Sequence, residues 1–203
     1  PSGKLKICAS VSIGQNVLAP RLAEFKRLYP EIELDFQLLN RRIDLIEEGY
    51  DLAIRVGELE DSTLISKRLF DVELHLYASP EYLNNSSSPL LIPSDLVTHS
   101  CMLMNAGSEK ARWDLNMGNE VQQINLVSSL TCNDFSSLRQ LTCDGLGIAL
   151  FPDYLCIEEL KQGKLIRVLE AWAGRRVTVN ALYPNRKSMT PKLRAMLDFL
   201  NKH

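Results

Sequence analysis

The sequence has no apolar run close to the roughly 18 residues that a membrane-spanning helix requires. Its first residues, Pro1-Ser2-Gly3-Lys4, lead straight into a strand pattern, with no basic segment, apolar segment and cleavage site in series. Neither insertion in a membrane nor export is expected, and a cytoplasmic location is. Histidine is scarce. His75, His99 and His203 are far apart and lack cysteine or carboxylate partners at ligand spacing, and His75 alternates along a strand between Glu73 and Tyr77. Ordinary strand or surface histidines are expected, and no metal. The five cysteines (Cys8, Cys101, Cys132, Cys143 and Cys156) are odd in number and show no C-x-x-C spacing. They read as small hydrophobes in a reducing compartment. A charge excess is also missing. The net charge of −2 gives no electrostatic reason to expect nucleic acid on this piece. The charge is uneven, with 13 basic and 23 acidic residues in 1–160 against 10 and 2 in 161–203. The two signs are expected to meet within the chain or across a dimer. Finally, there is no G-x-S-x-G elbow, no G-x-x-x-x-G-K-[ST] loop and no H-E-x-x-H pair, so neither an enzyme nor a cofactor is expected.

What the 203 residues do contain is 45% hydrophobic and 24% charged side chains, the balance of a soluble globular protein. That length suits one large domain or two small lobes. Leu5 to Ala9 alternates as a strand. Val17, Leu18, Leu22, Phe25 and Leu28 then share one helical face, with Pro20 in the first turns. Ile32 to Leu38 is a second strand. Arg41 to Glu48 reads as a short helix closed by Gly49, and Asp51 to Val56 as a short, apolar, buried parallel strand. This β-α-β-α-β run should wind right-handed onto one parallel sheet. The second half repeats the theme. It has a strand at Cys101–Met104, a hairpin around Met117-Gly118-Asn119 and a helix from Phe135 to Cys143 with Asp134 as its cap. A buried strand follows at Ile148–Phe151, a helix from Pro152-Asp153 to Lys161, strands at Leu165–Leu169 and Val177–Tyr183, and a last helix from Thr190-Pro191. The fold class is α/β, with two Rossmann-like lobes joined by two crossover strands. Residues 1–77 with 180–203 form the first lobe and 78–179 the second.

Two strand-to-helix turns are the informative features: Ser10-Val11-Ser12-Ile13-Gly14 and Cys132-Asn133-Asp134-Phe135-Ser136. Each sets short polar side chains and backbone N–H groups at a helix start beyond the carboxyl end of a strand, where open α/β sheets bind ligands. A helix start carries about half a positive charge and suits an anion. Either turn alone is explained by capping; one per lobe points to a ligand site. Arg55 ends an otherwise apolar strand and has two readings. It forms a salt bridge to the acidic loop of Glu58, Glu60 and Asp61, or it offers a guanidinium to an anionic ligand. Gly145-Leu146-Gly147 follows a helix and precedes a strand, the reverse of a dinucleotide fingerprint. It reads as a helix stop that lets helix and sheet pack closely.

The order of these motifs resembles the effector-binding region of LysR-type transcriptional regulators. The residues that carry the resemblance are Leu18-Ala19-Pro20-Arg21-Leu22, Ile43 through Gly57, Asp61-Ser62-Thr63-Leu64, Tyr77 through Leu83 and Gly145 through Pro152, and it runs along essentially the whole chain. The resemblance implies a fold like that of type 2 periplasmic binding proteins, with an effector cleft between the lobes. It also implies that Ser10 and Ser12, with Val11 between them, and Asn133, Asp134 and Phe135 contact the effector, and that Met104 and Pro152 line the cleft. A small, anionic effector is expected, with homodimers or higher homo-oligomers in which Ile32, Leu34 and Phe36 of an edge strand are covered. The family's winged helix-turn-helix precedes this region. The chain is therefore expected to be a fragment that reaches DNA only through that absent part. The alternatives are an exported solute-binding protein of the same fold, or an enzyme on this scaffold. The role of Cys132 is packing in preference to redox sensing.

Overall fold

A computed structural model describes residues 1–41, 43–57, 64–104, 112–184 and 189–201. In chain order the elements are β1 (Gly3–Ala9), α1 (Val11–Ile13), a π-helical segment (Gly14–Leu18), α2 (Ala19–Leu28), β2 (Ile32–Leu38), β3 (Leu52–Val56), β4 (Ile65–Val72) and β5 (Leu74–Ala78). Then come α3 (Pro80–Asn85), a 3₁₀ turn (Pro93–Thr98), β6 (Cys101–Met104), β7 (Arg112–Met117), β8 (Glu120–Asn125), β9 (Ser128–Cys132) and α4 (Phe135–Cys143). The chain finishes with β10 (Ile148–Pro152), α5 (Ile157–Lys161), β11 (Ile166–Arg167), β12 (Val177–Tyr183) and α6 (Pro191–Asn201). It divides into two compact units, Pro1–Asp71 with Val177–His203, and Val72–Arg176. The sequence reading sets the divisions a few residues later; in the structure β5 lies wholly in the second unit and all of β12 in the first.

The first unit is built on a sheet of order β2-β1-β3-β12-β4. Strand β1 is parallel to both β2 and β3, as short βαβ connections require, and β12 runs antiparallel to β3. Leu5, Ile7, Leu52 and Ile54 are buried in it. Phe25 is fully buried and meets Phe199 of α6 edge-on at 5.3 Å between ring centroids. The first helical stretch departs from its expected form. It starts at Val11, so Pro20 lies well inside it. With no N–H at Pro20 the carbonyl four residues back has no donor, and the chain widens. The N–H of Ala19 reaches back five residues to the carbonyl of Gly14. Leu28, expected on the apolar face, is 57% exposed. The helix expected at 41–48 is instead a turn. Asp44 Oδ1 accepts from the N–H groups of Ile46 (2.9 Å) and Glu47 (3.0 Å) in the manner of a helix cap, and Gly49 at φ +68° ends the chain's turn five residues later, so only one turn fits between them.

The second unit has a sheet of order β11-β5-β10-β6-β9 and a separate β7-β8 hairpin. Strands β10, β6 and β9 are parallel neighbours, and β5 is antiparallel to β10. Alternation puts a core on each face. Leu76, Ile148, Trp113 and Trp172 belong to one, and Tyr77, Ala149, Phe151 and Leu138 to the other. The expected helix to Lys161 shrinks to α5 and the expected strand at 165–169 to the two residues of β11, because Leu169 turns the chain at φ 49°. The glycine pair is a helix stop. Gly145 takes φ +80°, and Gly147 brings the backbone against Ser100, where Ile148 N–H donates to the Ser100 carbonyl at 2.8 Å.

Candidate functional site

The carboxyl edge of the first sheet collects Ser10, Val11, Ser12 and Arg55. Ala9 is level with Leu38 on one side and Ile54 on the other, so Ser10, Leu39 and Arg55 form the next row. The Ser10 N–H donates to the Ile54 carbonyl (3.1 Å), and the Gly14 N–H closes the first helical turn on the Ser10 carbonyl (2.8 Å). The Ser10 side chain does not cap the helix. The cap comes from Asn40, whose Oδ1 accepts from Val11 N–H at 3.0 Å. The start of this helix is therefore partly satisfied from within. Sequence reasoning passed over Asn40, yet the signal was present. In a parallel pair, the residues just after β1 and just after β2 must fall on the same edge.

Arg55 is half-buried. Its guanidinium donates to the carbonyl of Leu39 and lies 4.0 Å from the Cys8 sulfur. Among the described residues no carboxylate pairs with it. Glu58, Glu60 and Asp61, the partners of the salt-bridge reading, lie outside the described residues. Burial pushes the Cys8 thiol up, against the opposing pull of Arg55, so this cysteine stays a neutral packing group.

The carboxyl edge of the second sheet collects the rest. Met104 is level with Cys132, and Ala149 with Met102, which puts Phe151 level with Met104 and Pro152 just beyond. Asn133 is exposed and Pro152 is buried. Phe135 packs at 6.1 Å on Phe151, and Met104 and Cys132 lie against the same core. Cys132 also directs its thiol to the Asp134 carbonyl at 3.4 Å. Asp134 Oδ2 accepts from both the backbone N–H and the hydroxyl of Ser137, each at 2.7 Å. Those bonds hold its carboxyl below the ordinary carboxylate range. The second helix start thus already carries a carboxylate of its own.

With these edges in place, comparison with known proteins decides the family. The family model described as LysR substrate binding domain matches residues 1–203. The chain is a LysR substrate-binding domain. A similar curated relative is an HTH-type transcriptional regulator of Xanthomonas campestris pv. campestris, 34% identical over 98% of this chain and 59% of its own length. Another is the HTH-type transcriptional regulator CrgA of Neisseria meningitidis, 32% identical over 98% of this chain and 67% of its own. The LysR domain thus spans between about three fifths and two thirds of these relatives. Among solved structures, the CrgA regulatory domain of N. meningitidis matches with a TM-score of 0.86 at 32% identity, over 100% of this chain and 98% of that one. Full-length AphB, a virulence activator of Vibrio cholerae, matches with a TM-score of 0.86 at 26% identity, over 100% of this chain and 69% of that one. The mixed α/β fold with two sheets is that of LysR regulatory domains.

Among the described residues, the LysR domain has no helix long and apolar enough to cross a membrane and no group of three or more His, Cys, Asp or Glu that could hold a metal. Burial pushes the Cys101 and Cys156 thiols up to about 12, which keeps both protonated and inert. The cap at Asp134 gives a first testable effect. Asp134→Ala should cost about 1 kcal/mol in urea unfolding at neutral pH, and Asp134→Asn less. Because the folded-state pKa lies below the unfolded 3.8, the carboxylate's contribution is complete above that value. It disappears as pH falls through the folded value, so the gap between wild type and Asp134→Ala should close in acid. A gap that persists there would assign the loss to something other than the charge.

Proposed function

We propose that this LysR domain senses a small anionic effector, held between the first unit's Ser10-Val11-Ser12 and Arg55 and the second unit's Asn133-Asp134-Phe135 turn, with Met104 and Pro152 beside it. The observation that carries the reading is the first carboxyl edge. There a helix start and a guanidinium without a carboxylate partner among the described residues share one row of the sheet. Both favour negative charge. The second edge contributes differently. Its helix start is already matched by Asp134, so that side suits neutral contacts: the exposed Asn133 amide and the apolar surfaces of Phe135 and Met104.

The regulator to which the domain belongs controls transcription. The names of the relatives, HTH-type regulators longer than this chain, support a helix-turn-helix that contacts DNA. Effector binding shifts the populations of its conformations by the difference in affinity between them. No bond is made or broken. The domain works as a homodimer inside the cell. Support comes from β2, an edge strand whose Leu34 and Phe36 are only half-buried, and from the exposed Leu28; Ile32, expected beside them, is already fully buried within the chain.

Calorimetric titration tests the ligand class, with acetate, succinate, benzoate and inorganic phosphate as anions and choline and glucose as cationic and neutral controls. Heat from at least one anion and none from the controls is expected. Binding of choline or glucose with silence from every anion would remove the argument from charge.

A further inference from the structure

At the margin of the second sheet a histidine and an arginine make a contact that the effector reading does not use. His75 of β5 is level with Phe151, and Arg167 of the outer strand β11 is level with Tyr77. Arg167 Nη2 lies 2.6 Å from His75 Nδ1. A guanidinium has only donors, so Nδ1 must supply a lone pair. The imidazole is therefore neutral, with its proton on Nε2. That nitrogen lies 3.7 Å from Glu73 Oε2, while Glu73 Oε1 accepts from Arg176. Asp153, which follows β10 and whose N–H donates to the Glu73 carbonyl, is the remaining charge near the ring. Arg167 itself is weakly held. Among the described residues no carboxylate pairs with it, and its buried Nε has no hydrogen-bond partner.

We propose that the Arg167–His75 hydrogen bond is an acid-released clasp that fastens β11 to β5. Protonation at Nδ1 sets two cationic donors against each other at hydrogen-bond distance, and the contact opens. The stretch then stays attached through the backbone pairing of Ile166 with Ala78 and Arg167 with Tyr77, the Val168 N–H to the Leu76 carbonyl at 3.0 Å, the Gly174 N–H to the Leu74 carbonyl at 2.7 Å, and the buried side chains of Leu165 and Val168. Leu169 follows at φ 49°, a left-handed conformation that a leucine adopts only under strain. The loosened stretch leads to Arg176, where the chain leaves the second unit.

The surroundings set when the clasp opens. His75 is only 8% exposed, and burial first, then Arg167, push its pKa below the ordinary 6.5, against the opposing Glu73 and Asp153. The clasp is closed at neutral pH. Its stabilisation is complete above 6.5 and declines as pH falls from there toward the folded value.

Nitrogen NMR of the imidazole, with hydrogen exchange at the Val168 amide, tests this. At neutral pH the wild-type ring should show a bare Nδ1 and a protonated Nε2. As the ring takes its second proton, Val168 protection should fall about tenfold with the same midpoint. Amides in the β5–β10 pairing should not follow it. In His75→Asn, whose amide oxygen stands at the place of Nδ1 and accepts from Arg167 at every pH, Val168 protection should stay flat. A ring protonated on Nδ1 at neutral pH, Val168 protection that ignores the ring's titration, or the same fall in His75→Asn would overturn the proposal. The two wild-type readings decide it even if the variant does not fold.

Discussion

Gly147→Ala is expected to destabilise the domain by about 3 kcal/mol. The conformation of Gly147 is not the reason, because its φ lies outside the left-handed region. The reason is space. A Cβ there would sit 2.3 Å from the Ser100 carbonyl oxygen and 3.1 Å from its carbon. Both are backbone atoms, and the same carbonyl accepts from Ile148 N–H. Making room means parting β10 from the start of β6, where Ile148 and Cys101 are paired and fully buried. Overpacking of this kind costs about 1–3 kcal/mol, and a weakened buried hydrogen bond adds roughly 1. Gly14→Ala is the contrast. Its Cβ would come within 2.1 Å of Leu38 Cδ2, the far end of a half-buried side chain that can change rotamer. Alanine also favours helix over glycine by about 1 kcal/mol. Gly14→Ala should therefore stay near wild type. Urea midpoints for the two variants give the answer, and equal midpoints would mean that the close approach at Ser100 is not rigid.

That glycine shows what could be read from the sequence and what could not. Its position after a helix and before a strand excluded a nucleotide loop and gave the helix stop, because the order of elements is a property of the chain. The atom it leaves room for, the Ser100 carbonyl, comes from 47 positions away and leaves no trace in local pattern. The same division runs through the fold. The parallel run β1 to β3 was legible because alternation and short connections determine it. The turn at Asp44 was not, since Ile43, Leu45 and Ile46 suit a helix, while a cap placed as late as Asp44 and a left-handed Gly49 leave room for a single turn between them. By propensity Pro20 belongs at a helix start. Its neighbours accommodate it inside the helix by widening one turn, which propensity alone does not foretell. At the candidate site, the two strand-to-helix turns could be named because open α/β sheets bind ligands beyond strand ends, whereas Met104 and Pro152 came from the family resemblance alone. What fills the hydrogen-bonding capacity of the turns could not. Asn40 on Val11 and Ser137 on Asp134 emerge only from three-dimensional neighbours, and together they move the expected positive end of the site toward Arg55.

Arg55→Gln should accordingly weaken binding of whichever anion gives heat in the titration by about tenfold to a hundredfold, the range of a lost charge-assisted hydrogen bond. The fold should survive the change. Among the described residues the guanidinium gives up a bond to the Leu39 carbonyl and a 4.0 Å approach to Cys8, and a glutamine amide can still donate to a carbonyl. Arg55→Lys is the sharper comparison. It keeps the charge but loses the planar fork, so one ammonium must serve the Leu39 carbonyl and the anion together. If the fork matters, lysine should recover only part of the affinity. If net charge alone matters, lysine should bind as the wild type does, and if Arg55 serves only to tie β3 to the residue after β2, both variants should bind normally while their urea midpoints fall. Salt separates the cases further. Binding through an exposed charge weakens steeply as ionic strength rises, whereas a guanidinium half-buried beside the helix start of Ser10 should lose little between low and physiological salt. Unchanged affinity in Arg55→Gln, with the protein folded, would take the anion away from the guanidinium and leave only the partly satisfied helix start after Ser10 to receive the effector's charge in the first unit.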